Sequence, residues 1–309
     1  MKRLFSLCIP LILFLFMLRF PGTVLDGARD GLLLWFNQVF PSLFPFMVLC
    51  ELLLRTNSIQ FLTGILSPVL SPLFGVSRPA CFAVLGGFLC GYPMGARITA
   101  LLEEKGEITS EESRYLLSFV NNVSPAFVMT FVIREHLRDS RLLLPGLAAV
   151  FGAPVLLSFV FRRLCGPGRE RFHAAKPAGS PGEPLTTALD KSIFSALEAV
   201  ARVGGYIILF SVASGLLGLV PLDGFFWNWI FLPSLEISGG IHLLCSSASL
   251  TEPVRILLVF ALTSFGGLCA AFQTMYMMKG QTFSLPSYLV KKLITASVTS
   301  FLILCMLKF

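Results

Sequence analysis

Residues 90–97 read CGYPMGAR and stand inside a segment that is otherwise apolar. The run joins helix breakers to a cation. Gly91 tolerates unusual dihedrals, Pro93 pushes Tyr92 out of the helical region, and proline suits the first turn of a new helix. Arg97 follows one turn later. In lipid every backbone amide needs a partner, so an unwound stretch persists only where protein buries it or a cavity adjoins it. The free N–H groups of a half-helix N-terminus, with a guanidinium nearby, favour an anion. Anion recognition at a helix break, shaped by Gly91, Pro93 and Gly95 and charged by Arg97, is therefore the chemistry this run could do. The same residues also suit a proline-kinked helix whose glycines allow close packing. Arg97 would then snorkel toward the charged loop that begins near Glu103.

Three further stretches repeat the pattern. FVNNVSPAFV at 119–128 sets Asn121 and Asn122 before Ser124 and Pro125. Amide side chains in a span need hydrogen-bond partners that lipid lacks, so they face either a ligand or another helix. LEISGG at 235–240 places Glu236 beside a break made by Ser238 and Gly239. A lone buried carboxylate holds its proton more tightly, which makes Glu236 a candidate proton carrier, or else a residue at the membrane interface. TSFGGLCAAFQT at 263–274 supplies Gly266, Gly267 and Gln273, with Ser264 alongside. Glu198 and Arg202, four apart with the glutamate first, read as a structural ion pair on a helix. Pro41 and Pro45 mark a kink in the second apolar run.

The elements that must position these residues follow from composition. The 309 residues are 55% hydrophobic and 13% charged, with mean hydropathy +0.80, against roughly 25% charged in soluble domains. Thirty phenylalanines outnumber five tyrosines, so little surface meets water. Apolar runs near 4–20, 31–54, 59–76, 80–102, 115–133, 142–161, 193–220, 225–247, 254–278 and 288–307 are each long enough to cross a bilayer or re-enter it. The fold class is an all-α polytopic membrane protein with about 8–10 membrane segments, some of them interrupted. A net charge of +7 sits mostly between the runs, as the positive-inside bias expects, and not in a stripe that would bind nucleic acid. The first twenty residues lack a small-residue cleavage site and read as an uncleaved span, with Lys2 and Arg3 inside.

Residues 162–191, rich in Pro and Gly and carrying six Lys or Arg, read as a cytoplasmic linker. They divide the chain into halves that look alike. Shifted by 160 residues, Asp30 falls on Asp190. Shifted by 145, GYPMG at 91–95 falls on EISGG at 236–240, and NNVSPAF at 121–127 on GGLCAAF at 266–272. Interrupted segments in corresponding places of two halves point to the binding site of a secondary transporter. Eight cysteines show no CxxC spacing, and His136, His173 and His242 are far apart, so no metal site or cofactor is expected. No Walker loop, GxSxG or HExxH occurs, and no enzyme is expected.

GGFLCGYPMGAR followed by LLEEKGEITSEESRYLLSFVNNVSPAFV closely resembles the YlbJ/SpoVV-type sporulation integral membrane proteins, relatives of the nucleoside-recognition, or Gate, domain membrane proteins. The second-half segments GGYIILFSVASGLL, LEISGGI and FGGLCAAFQ look like that family's counterparts. The resemblance covers roughly residues 28–300. With the uncleaved first span as an anchor over 1–27, it implies a first Gate-like half over 28–161 and a second over 192–309. It also implies a multi-pass cell-membrane transporter acting in endospore formation, in the outer forespore membrane, with dipicolinic acid as its substrate. For that flat aromatic dianion, Arg97 supplies charge and Tyr92 stacking, while the amides and hydroxyls of Asn121, Asn122, Ser124, Ser238 and Gln273 line the site. The implied partners are this small anion and the lipid bilayer, and a homo-oligomer is left open. A nucleoside permease and a non-transporting scaffold are the rival readings.

Overall fold

Prolines and glycines set where each helix begins and ends. The computed structural model describes residues 2–165 and 182–307, and every regular element among them is helical. After α1 (Lys2–Arg19), Pro21 opens α2 (Pro21–Leu34), its missing N–H harmless in a first turn. Pro41 cannot donate to the carbonyl four residues back, and the turn before it, Trp35–Val39, widens to π spacing. Beyond it runs α3 (Phe40–Arg55), so Pro21–Arg55 forms one 35-residue helix. Next come α4 (Ile59–Phe74), α5 (Ala80–Leu89), α6 (Met94–Glu104) and α7 (Ser110–Leu116). Residues 117–124 are not helical. Pro125 then starts α8 (Pro125–Phe127), which continues as π-spaced turns over Val128–Leu137.

The first part closes with α9 (Leu143–Cys165). The second holds α10 (Leu185–Gly218), a π turn at Trp227–Phe231, α11 (Leu232–Leu235), α12 (Ile237–Ser246), α13 (Glu252–Phe265), α14 (Gly267–Met277) and α15 (Leu285–Leu307). Of the residues read as a linker, 162–165 end α9 and 185–191 begin α10 after Pro184, while 166–181, with His173, lie outside the described residues.

Among the described residues, five helices are long and apolar enough to cross a membrane: Pro21–Arg55, Ser140–Leu164, Leu185–Gly218, Glu252–Met277 and Leu285–Leu307. Apolar side chains such as Phe46, Phe61, Phe194, Leu293 and Phe301 face outward, where lipid is their natural solvent. Three of the apolar runs are divided between shorter helices. The run 80–102 becomes α5 and α6, 115–133 loses its helix over 117–124, and 225–247 breaks at Glu236. α10 packs lengthwise on α2 and α3, and Trp35 Nε1 donates to the Val200 carbonyl at 2.9 Å. α13, α15 and α9 form a second layer, and the broken segments lie between these two groups.

Candidate functional site

Gly91 has φ +86°, a left-handed conformation that ends α5 cleanly before Met94 N–H returns to the Gly91 carbonyl at 2.8 Å. The 117–124 run lies in the notch this leaves. At Gly95 a Cβ would sit 2.6 Å from the Val120 carbonyl oxygen, so only glycine lets the run approach. Ser124 caps α8, its Oγ accepting from Phe127 N–H at 3.2 Å. In the second half Glu236 caps α12, Oε2 accepting from Gly239 N–H at 2.8 Å. Gly266, at φ +85°, separates α13 from α14, followed by Gly267 at φ +82°.

These two pairs of breaks touch. Tyr92 OH donates to the Ser264 carbonyl at 3.3 Å, and its ring fills the space where Gly266 lacks a side chain. Asn121 Nδ2 donates to Thr274 Oγ1 at 2.7 Å and to Tyr288 OH at 2.9 Å. Asn122 Nδ2 donates to the Phe119 carbonyl at 2.7 Å. Lys292 on α15 joins the node: Nζ donates to the Asn121 carbonyl at 3.1 Å and to Asn122 Oδ1 at 3.4 Å. It also lies 5.1 Å from the centre of the Tyr92 ring. Asn121, Asn122 and Lys292 are all buried.

A cavity of about 370 Å³ opens beside this node, within the range of small-molecule sites. Gly91, Tyr92 and Ser124 wall it from the first half, and Glu236, Ser238 and Gln273 from the second. Six residues singled out by sequence thus meet at one space. Pro93, Gly95, Gly239, Gly266 and Gly267 frame the breaks around it, and Asn121 and Asn122 sit behind it. Arg97 does not join them. Its guanidinium forms a close ion pair with Glu51 on α3 and donates to Ser195 Oγ on α10 at 2.8 Å. Ser195 Oγ in turn donates to Glu51 Oε1 at 2.6 Å. The expected role of Arg97 as the anion's charge partner therefore has no geometric support, because Glu51 already neutralises it.

Sequence reasoning missed Lys292 and Glu51. Lys292 shares a buried polar stripe with Tyr288, Thr295 and Thr299, spaced for one face of α15. That spacing was the available signal. Glu51, in the apolar run CELLLR, had none beyond its charge. Glu135, which also lines the cavity, was likewise passed over.

Over 218 residues the chain is 28% identical to the sporulation integral membrane protein YlbJ of Bacillus subtilis (strain 168). The chain resembles YlbJ. The match takes in 65% of this chain and 53% of that protein, so the chain spans about half the length of this relative. Residues 36–137 match the Gate family, described as nucleoside recognition. That stretch contains Glu51, Arg97 and both first-half breaks, and stops before Glu236 and Lys292. No solved structure matches the chain. Five long apolar helices and the likeness to an integral membrane protein make this a multi-pass membrane protein.

Proposed function

We propose that the chain is a carrier that moves a small organic anion, dipicolinic acid during endospore formation, across the membrane by alternating access. The observation that carries this reading is the cavity walled by helix breaks from both parts of the chain, the arrangement in which carriers hold solutes. Tyr92 offers a ring for stacking, while Ser124, Ser238 and Gln273 offer hydroxyls and an amide. Lys292 stands behind Tyr92, outside the cavity lining, and Arg97 is held away from it by Glu51. Glu236, buried at the cavity wall, exchanges a proton as the solute moves. The contacts Tyr92–Ser264 and Asn121–Thr274 join the two parts and must rearrange when the cavity changes sides.

A second reading, a nucleoside or nucleobase permease, is favoured by one feature. The charged side chains lining the cavity are carboxylates, Glu135 and Glu236, which suit an uncharged solute. Flux of dipicolinate and of uridine, measured side by side in vesicles holding the purified protein, separates the two. Dipicolinate flux that other dicarboxylates inhibit is the expected result. Uridine flux alone moves the chain to the nucleoside class. Absence of both, with folded protein present, favours a scaffold in the forespore envelope.

A further inference from the structure

Unwound backbone in a membrane protein frees carbonyl oxygens, and carriers use such oxygens to bind a coupling ion. In the non-helical run 117–124 two oxygens converge on one point, the Asn121 carbonyl and Asn122 Oδ1. The Tyr92 ring adds a third surface that attracts cations. An alkali ion would suit this point, but the amino group of a lysine already fills it. Lys292 Nζ reaches it from α15, at 3.1 and 3.4 Å from the two oxygens. The side chain is 3% exposed, and no carboxylate oxygen among the described residues lies within 4.0 Å of it. Tyr92 lines the cavity and Lys292 does not, so the ammonium supports the wall of the site without being part of it.

We infer that Lys292 is a tethered cation standing in the place of a coupling ion, so that solute movement through the cavity needs neither sodium nor potassium. The first half of this statement concerns cation binding alone; the second rests on the carrier reading. A covalently held ammonium cannot be released on either side of the membrane. It holds residues 121 and 122 against α15 whether or not solute is present, and it leaves no empty oxygen cage for a free ion.

Two measurements test this. In the first, melting of the purified wild-type protein in detergent is followed in sodium, potassium and choline chloride, and then for Lys292→Ala in the same salts and in methylammonium chloride. The wild type should melt at one temperature in all of them. The alanine variant should be selectively stabilised by methylammonium or sodium, which enter the vacated cage. A wild-type melting point that rises specifically with sodium or potassium overturns the inference. So does an alanine variant, folded in choline, that ignores every small cation. Should Lys292→Ala not fold, the wild-type arm still decides. In the second, wild-type vesicle flux is compared in sodium and in choline. Equal rates are expected, and about a tenfold fall without sodium, equivalent to ~1.4 kcal/mol, overturns the inference. Vesicles that carry no solute at all count against the carrier reading, while the melting series still judges the cation site.

Discussion

Arg97 on α6 and Lys292 on α15 each place a cation among apolar helices, yet only the first meets a carboxylate. Arg97 belongs to a network of Glu51, Ser195, Arg55 and Glu183, with Lys191 on the far side of Glu183 and Lys105 bonded to the Leu54 carbonyl. The network gathers where α3 ends and α10 begins. Helices of 34 and 35 residues are about 50 Å long and exceed the ~30 Å of hydrocarbon, so their ends must protrude. The charges thus meet where water helps to carry them. Among the described residues, Lys292 meets only amide oxygens and a ring. A cation in a greasy helix therefore has two meanings. Paired, it fastens helices together; unpaired, it is held by the carbonyl and amide oxygens of a broken segment.

Removing the paired carboxylate attacks this contrast directly and has the largest expected effect. Glu51→Gln leaves Arg97 without its anion in a site where Glu51 is 3% exposed. Breaking such a buried pair costs about 3–5 kcal/mol, and the partial exposure of Arg97 places this one near the lower end. Replacing both partners, Glu51→Leu with Arg97→Met, should restore stability to within ~1 kcal/mol, since apolar residues of similar size substitute well for buried pairs. Thermal unfolding of the three proteins in detergent measures this. A single variant as stable as the wild type would show that the pair fastens nothing, and the contrast with Lys292 would collapse.

How much of this could be read in the sequence depends on how local the physics is. The breaks at 90–93 and 266 fall on glycine and proline, which act on their own backbone, whereas the third falls on Glu236, ahead of Ser238 and Gly239, which lie inside α12. The unwound run around Asn121 was legible for a similar reason, as paired amides and a proline resist a lipid-facing helix. Partners were not legible. Arg97 finds its carboxylate 46 residues away, and Lys292 finds its oxygens 171 residues away. The sequence placed Arg97 at the break because it follows Pro93 by one turn, but spacing along one helix does not tell which neighbour the side chain meets, and here it is Glu51 on α3. The start of α10 was misjudged by composition: LTTALDK reads as polar loop, but Pro184 ahead of it is a helix-start signal.

Glu112 sharpens the comparison from the other side, as a buried carboxylate with no ion-pair partner among the described residues. It lies on the short α7, outside the five long helices, at 1% exposure, and its Oε1 accepts from Ser77 N–H at 2.6 Å. Burial pushes its carboxyl up from 4.5 to about 7, partly opposed by that hydrogen bond. The folded form therefore keeps a proton the unfolded chain has already lost between these values. The resulting stability is fully present below pH 4.5 and lost as pH rises through about 7. Glu112→Gln keeps an acceptor for Ser77 and should erase a decline of about 3 kcal/mol over that interval. Melting temperature against pH, for wild type and variant, reads the difference. Parallel curves would mean that Glu112 ionises freely and that a lone buried carboxylate is tolerated here.

The smallest effect belongs to Glu198 and Arg202, which are paired yet exposed. Their side chains approach to 2.8 Å one turn apart on α10, at 62% and 50% exposure. Arg202 also lies over the Tyr276 ring at 4.6 Å, so it keeps a partner when the carboxylate is removed. An exposed pair of this kind contributes about 0.5 kcal/mol or less, and salt screens it. Glu198→Gln should accordingly shift the melting temperature barely, and less still at high salt. The comparison with Glu51→Gln is then controlled for pairing, because both substitutions delete the carboxylate of an arginine pair. If Glu198→Gln destabilises as strongly as Glu51→Gln and salt has no influence, that face of α10 is covered by lipid or by a second copy of the chain. Burial within one chain would then no longer be what separates fastening charges from idle ones.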